Sequence, residues 1–297
     1  MSTTLRFPSG LTVTQAKKDA KKLAKAESIK LHEAQDRTSR SNGLNMSWNK
    51  ALAWLERQPK PLMSFRLSLN SERNEGTSHH LIDLYPEAPV VLIAGTTGSG
   101  KSVIALELAH QAITKSAIRT YYCTMQGLIF EAATGSQDIN SKQIGYLQQN
   151  FPNHFHIHSF SRGVSPLESM DNEVTEGSLL IIDEVALFKL NQNSIIEWLA
   201  WARRKRCVLI LIGQMIEDIA PSASKDQEEE FASYIGAVLL GRTQCVSEDT
   251  AELTRELLKF TQTLDYSSRE YIEFVALATT PGWMGILRQT LPDWQEA

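Results

Sequence analysis

Three cysteines in 297 residues, Cys123, Cys207 and Cys245, are too few and too scattered to staple a fold or to hold a zinc ion. Each lies in or beside an apolar stretch, which reads as a reduced thiol in or near a core. No apolar run approaches the ~20 residues that a membrane-spanning helix needs. The first residues, MSTTLRFPSGLTV, contain no apolar stretch of the kind that a secretory leader carries. These absences argue against a disulfide scaffold and against a transmembrane segment. They favour a cytoplasmic chain with an ordinary core, as an apolar content of 42% allows.

Charge is present but unevenly spread. The chain carries a net charge of −4, yet residues 1–60 hold 12 Lys+Arg against 5 Asp+Glu. The rest holds 18 against 29. A basic head on an acidic body implies a small separate unit at the N-terminus, over 1–60. TVTQAKKDAKKLAKAESI predicts a first helix, with Thr12 or Thr14 as cap and Val13, Ala16, Ala20, Leu23 and Ala24 on one face. LHEAQDRTSRSNGL predicts a second, stopped at Asn42–Gly43, and SWNKALAWLERQP a third, capped by Ser47 with Pro59 beyond its end. Residues 61–85 hold two prolines and mixed signals, and read as a linker with one strand entering the main domain over 86–297.

The main domain opens on VVLIAGTTGSGKSVIALELAHQAI. Residues 95–102 (Gly95, Thr96, Thr97, Gly98, Ser99, Gly100, Lys101, Ser102) fit G-x-x-x-x-G-K-[ST]. The pattern is short, and its context makes it specific. An apolar, β-branched strand precedes it, and Val103, Leu106, Leu108 and Ala109 follow at helical spacing, with Glu107 and His110 free to face outward. Glycines let the loop turn its N–H groups inward, and the helix N-terminus adds positive potential. Lys101 would reach the β- and γ-phosphates of a nucleotide, and the Ser102 hydroxyl would ligate Mg²⁺.

Further apolar stretches, IRTYYCTM, HFHIHSF, SLLIIDEVALF, CVLILIGQM and YIGAVLLGRT, alternate with helical ones. That order predicts an α/β fold, a parallel sheet flanked by helices. LLIIDE ends in two carboxylates about 80 residues after the glycine loop. If this strand lies beside the loop strand, Asp183 sits near the Mg²⁺ and Glu184 is the general base for the attacking water. Gln214, at the end of the next apolar strand, is a candidate γ-phosphate or water contact.

Taken together, the wording LIAGTTGSGKSV, LLIIDEVALF, WARRKRCVLILIGQMIED and YIGAVLLGRTQCVSEDTAEL, with TTPGWMGILRQTLPDW as a closing hairpin, resembles the motor domain of the FtsK/HerA superfamily. That group includes chromosome-pumping translocases and the TraG-type coupling proteins of conjugation. The resemblance spans residues 86–288 and implies a RecA-like core that hydrolyses ATP with Mg²⁺, working as a homo-oligomeric ring of six subunits that moves DNA. It also implies contacts with conjugation or secretion machinery, peripheral to an inner-membrane complex. Protein export or pilus assembly, and an ATP-dependent assembly switch, are the alternative readings. A ring motor needs an arginine finger; Arg242 is one candidate, and the run Arg203, Arg204, Lys205, Arg206 is the other. The chain departs from that group in carrying GQM where TQ is usual, and in lacking a basic C-terminal DNA-reading domain. The head, with its lysine-rich helix, HEAQ, NG and SW, loosely resembles a helical module found at the ends of proteins encoded on mobile elements.

A chain starting at residue 61 should therefore still bind ATP. Loss of nucleotide binding, or insolubility, on removing residues 1–60 would show that the head completes the core.

Overall fold

Thr12 accepts a hydrogen bond from the Gln15 amide at 3.0 Å and so starts the first helix, α1 (Val13–Glu27). The helix ends at Ser28, which is left-handed (φ 54°) and donates its N–H to Ala24. Two further helices follow, α2 (Leu31–Ser41) and α3 (Trp48–Arg57). Gly43, at φ 91°, makes the turn between them. Asp36 on α2 accepts from the Trp48 amide at 2.7 Å, and the Ser47 carbonyl, at the expected cap position, accepts from the Ala51 N–H at 2.8 Å to start α3. Ala16, Leu44, Trp48, Ala51 and Leu55 close a small core with Phe7.

In this computed structural model the described residues are 5, 7, 9, 11–57, 60–69, 78–125, 139–161, 164–188, 192–214, 225–242, 261, 264, 271–279 and 282–290. The chain forms two compact units, Met1–Lys60 and Pro61–Ala297. Cys245, the rest of the 243–260 stretch, Pro59 and Pro281 lie outside the described residues.

The second unit is built on one ten-stranded sheet. Its strands are β1 (Met63–Leu69), β2 (Ser78–Leu84), β3 (Val90–Ala94), β4 (Thr120–Met125), β5 (Phe155–Phe160), β6 (Leu179–Ile182), β7 (Val208–Gly213), β8 (Ile235–Leu240), β9 (Tyr271–Thr279) and β10 (Gly282–Thr290). Its helices are α4 (Lys101–Ser116), α5 (Ile139–Asn150), the short α6 (Pro166–Met170), α7 (Gln192–Lys205) and α8 (Lys225–Tyr234). The strand order is β2-β1-β10-β9-β8-β3-β7-β6-β4-β5. The six strands from β8 to β5 run parallel, and the remaining four are antiparallel. This is the α/β core expected from the alternation of strands and helices, and the RecA-like fold that the sequence resemblance implied.

Continuous apolar strands follow from burial on both faces. Val91, Ile93, Ile181, Ile210 and Leu239 pack on one side with α4 and with Leu147 of α5. Val90, Leu92, Leu180, Leu209 and Leu211 pack on the other with Leu167, Trp198, Leu199 and Tyr234. Each such side chain, taken fully out of water, contributes about 1.5–3 kcal/mol before entropy is counted. The free thiols of Cys123 and Cys207 are buried in the second of these cores. Burial raises both, Cys207 to about 12.

Two sequence expectations change. The strand that ends in Asp183 is not beside the loop strand: β7 lies between β3 and β6 and pairs with both. The stretch 61–85 is not a linker with one strand, because β1 and β2 pair antiparallel over seven residues and join the main sheet. The alternation of Met63, Phe65 and Leu67, all buried, with exposed Ser64 and Arg66 is a half-buried strand's pattern. Gln111 of α4 completes this edge. Its amide accepts from the Arg66 N–H and donates to the Arg66 carbonyl, both at 3.0 Å, as a neighbouring strand would. Helix α4 is also less exposed than its periodicity implied. Glu107 hydrogen-bonds Gln111, and His110 packs against the rings of Tyr146 and Phe151.

Among the described residues, no helix is long and apolar enough to cross a membrane.

Candidate nucleotide-binding site

Parallel strands deliver their C-terminal ends to one edge of the sheet, and open α/β sheets bind ligands there. Ala94, Ile182, Gly213 and Leu240 all end at this edge, so the residues that follow them converge. The loop after β3 is held at its start by the Gly95 N–H on the Gly213 carbonyl (3.3 Å) and by the Thr96 N–H on the Arg242 carbonyl (2.6 Å). The Ser99 N–H closes a turn onto the Thr96 carbonyl at 3.1 Å.

Two glycines are required by geometry. A Cβ at Gly95 would stand 2.6 Å from the Ser99 hydroxyl, and one at Gly100 would stand 2.9 Å from Ile272 of β9. Gly100 is also left-handed (φ 85°), which caps α4 without strain. The first amides of α4 have no acceptor within the helix and lie at the positive end of its dipole, directly after the loop. Ser99 braces this loop through its buried hydroxyl against Gly95 and Gly241. Lys101 is almost fully buried, and its Nζ donates to the Thr96 carbonyl at 3.1 Å. The lysine thus spans the mouth of the loop it belongs to.

Ser102 and Asp183 meet, as the sequence pattern implies: Ser102 Oγ donates to Asp183 Oδ2 at 3.1 Å. The same carboxylate oxygen accepts from the Tyr122 hydroxyl of β4. Tyr122 was not visible as a site residue in the sequence. Its only signal was a hydroxyl within a strand, and its meaning depended on β4 pairing with β6 through Tyr122↔Ile181. Burial pushes the Asp183 carboxyl up, against the opposing pull of the Tyr122 and Ser102 hydrogen bonds and the Lys101 charge. Burial and the adjacent carboxylate push the Tyr122 hydroxyl well above its usual range, so it stays a donor.

Asp183 Oδ1 is buried and has no hydrogen-bond partner among the described residues. A buried, unpaired carboxylate oxygen beside a serine hydroxyl is a donor set of hard oxygens, and it fits Mg²⁺. Ser102 and Asp183 are the residues that would hold the ion, directly or through water.

Glu184 follows at φ 56°, a left-handed backbone that few non-glycine residues adopt. Such a conformation costs on the order of 1–3 kcal/mol, and its concentration at functional sites is well attested. The Leu187 N–H bonds the Glu184 carbonyl at 2.9 Å, and a short 3₁₀ turn, Val185–Phe188, starts here where a continued strand was expected. The kink separates the two carboxylates, leaving Asp183 buried with Ser102 while Glu184 accepts from Gln214 Nε2 at 3.4 Å. Gln214 therefore sits between loop and carboxylates because β7 is central.

Arg242 follows β8, and its carbonyl holds the loop, so it stands at the loop of its own subunit with an exposed side chain. The basic run at the end of α7 lies at the opposite end of the strands. Arg203 bonds the Glu87 and Ser233 carbonyls and stacks 4.1 Å from the Tyr234 ring centroid. Lys205 pairs with Asp171 (3.0 Å) and Arg206 with Glu176 (2.6 Å). These contacts tie helices and loops together at the end of the strands away from the glycine loop.

No protein-family model matches the chain, and no curated protein matches it in sequence. Solved structures do show similarity. The DNA-packaging ATPase B204 from Sulfolobus turreted icosahedral virus is 18% identical, with 69% of this chain and 98% of that one covered and a TM-score of 0.47. The genome packaging NTPase B204 from Sulfolobus turreted icosahedral virus 2, in complex with AMPPCP, is 16% identical, with 69% and 100% covered and a TM-score of 0.47. The cytoplasmic domain of the Thermomonospora curvata type VII secretion ATPase EccC is 12% identical, with 79% and 29% covered and a TM-score of 0.42.

Tyr122→Phe removes one of two donors to Asp183 without changing the packed ring. Outer-shell changes of this kind typically cost about 10–100-fold in metal affinity. The half-saturating Mg²⁺ or Mn²⁺ concentration for nucleotide binding should rise by about that factor, beside a stability loss of about 1–3 kcal/mol from the missing donor. An unchanged cation requirement would make Tyr122 a core residue only.

Proposed function

We propose that this chain is an ATP-hydrolysing motor that translocates DNA, working as a ring of identical subunits, six by the resemblance in its sequence. The observation that carries the hydrolytic part is the convergence of Lys101, Ser102, Asp183, Glu184 and Gln214 at one edge of the parallel sheet. The DNA part is supported by the FtsK/HerA-like wording of the glycine loop and of the strands ending in Asp183–Glu184 and Gln214.

In this reading the helix α4 amides and Lys101 bind the phosphate chain, and Lys101 exchanges the Thr96 carbonyl for a phosphate oxygen. Ser102 and Asp183 would hold Mg²⁺, which would supply positive charge to offset that of the phosphates. Glu184 orients and deprotonates the attacking water, and its strained backbone aims the carboxylate. Gln214 holds that carboxylate while no nucleotide competes for it, and contacts the γ-phosphate or the water once one does. Residues 1–60 form a separable appendage to this motor.

Lys101→Ala should abolish hydrolysis and weaken nucleotide binding, whereas Glu184→Gln should keep binding and lose turnover. With the wild-type protein, duplex or single-stranded DNA should raise the ATPase rate, more at low salt than at high. Normal turnover in Glu184→Gln would remove its assignment as base. Stimulation by a partner protein but by neither form of DNA would move the cargo to protein.

Arg242 is the proposed source of a further positive charge at the γ-phosphate, on the observation that its main chain is bonded to the loop. Arg242→Ala should bind ATP normally and turn over poorly, by up to about 10³-fold. Mixed with Lys101→Ala subunits it should regain turnover if the arginine serves the neighbouring subunit. Full activity of Arg242→Ala alone would exclude the role.

A further inference from the structure

The first helix of the N-terminal unit is divided lengthwise by charge. Lys17, Lys18, Lys21, Lys22 and Lys25 recur at intervals of one, three and four, and at 100° per residue they fall within one arc of α1. All five are exposed. The opposite arc holds Ala16 and Ala20, both fully buried. So α1 is anchored by its small apolar face and shows solvent an unbroken cationic one.

Among the described residues of the unit, no carboxylate neutralises that face. Those nearby are already engaged. Asp19 accepts from Gln15 (2.9 Å), Glu27 and Glu33 both pair with Arg37 (2.6 and 2.8 Å), and Asp36 accepts from the Trp48 amide. None of the five lysines has a hydrogen-bond or ion-pair partner among the described residues. Lysines spaced four apart on a helix repel one another, so the arrangement works against the helix that carries it. A local rule broken with no compensating contact marks a site selected for something other than stability.

We infer that this lysine face is a binding surface for the phosphate backbone of nucleic acid, independent of the nucleotide site. The five ammonium groups lie along nine residues of helix, a rise of about 12 Å. Over that length a duplex presents several phosphates, at one charge per ~1.7 Å of axis. Lysines carry no fork geometry for reading base edges, so the surface recognises charge and spacing without sequence preference. A membrane surface is the weaker fit. Interfacial helices insert a large apolar face beside their basic one, whereas the buried residues of α1 are the small Ala16 and Ala20, and Val13 packs against the unit's own core. The inference does not depend on the motor reading, since a basic surface binds nucleic acid whether or not ATP is hydrolysed.

The test uses the full chain without nucleotide. Binding of a labelled 20-base-pair duplex is followed by fluorescence anisotropy between 50 and 200 mM salt, for the wild type and for a variant with all five lysines changed to glutamine. Every phosphate that the variant no longer neutralises should lower the slope of log affinity against log salt by about 0.9. With three or four phosphates engaged by this face, the slope should fall by roughly 3, and affinity at 50 mM salt by tenfold or more. A variant with five arginines instead should bind like the wild type. Lys101→Ala should also keep duplex binding, which separates this surface from the nucleotide site. All five positions are exposed and their mutual repulsion is relieved in the glutamine variant, so a melting temperature no lower than the wild type's checks that folding is intact. Equal affinity and equal slope in wild type and glutamine variant would overturn the proposal. So would lysine-dependent binding to phosphatidylserine vesicles with no duplex binding, which would assign the face to a membrane.

Discussion

One carboxylate oxygen, Asp183 Oδ2, is where the candidate site is tied to the fold. It accepts from Ser102, the second residue of α4, and from Tyr122 on β4, while Asp183 itself follows directly on β6. Burying a carboxylate is costly unless donors surround it. Two donors and a nearby lysine offset that cost on one oxygen and leave the other, Oδ1, buried and unsatisfied among the described residues. That remaining oxygen is the observation behind the proposed role of Asp183 in holding a cation. Any shift of α4 relative to β4 and β6 would break this arrangement, so the helix and strands that carry it must pack rigidly.

The rest of the sheet supplies that rigidity. Strands β3 and β7 are buried at every position, and each has neighbours on both sides. The β9–β10 hairpin contributes from the other direction, since Ile272 of β9 fills the space that a side chain at Gly100 would need. Residues far apart in the chain therefore set the shape of one glycine loop. Within the site, backbone strain falls on Glu184, next to the best-packed strand ends, where the surroundings can enforce it.

Basic residues are used in two ways in this protein. At the end of α7 they are spent on main-chain carbonyls, carboxylates and the Tyr234 ring, and they brace the sheet at the edge away from the loop. On α1 the five lysines have no partner among the described residues. The sequence shows both as clusters of Lys and Arg; the difference lies in what stands opposite them.

Much of the architecture could be read from the chain alone. The glycine loop, the helix after it, the five apolar strands and the three N-terminal helices with the Thr12 cap and the Asn42–Gly43 stop are all local patterns. Local patterns survive in sequence because neighbouring residues determine backbone conformation and which face is buried. What the sequence could not decide was adjacency. The order of strands placed β7 between β3 and β6, turned 61–85 into two strands of the sheet, brought Gln214 to Glu184, and brought Tyr122 to Asp183. Those contacts join residues 30 to 61 positions apart. They follow from which apolar strand finds which partner in the core, and the apolar strands of this sheet are too alike in composition for their sequences to say.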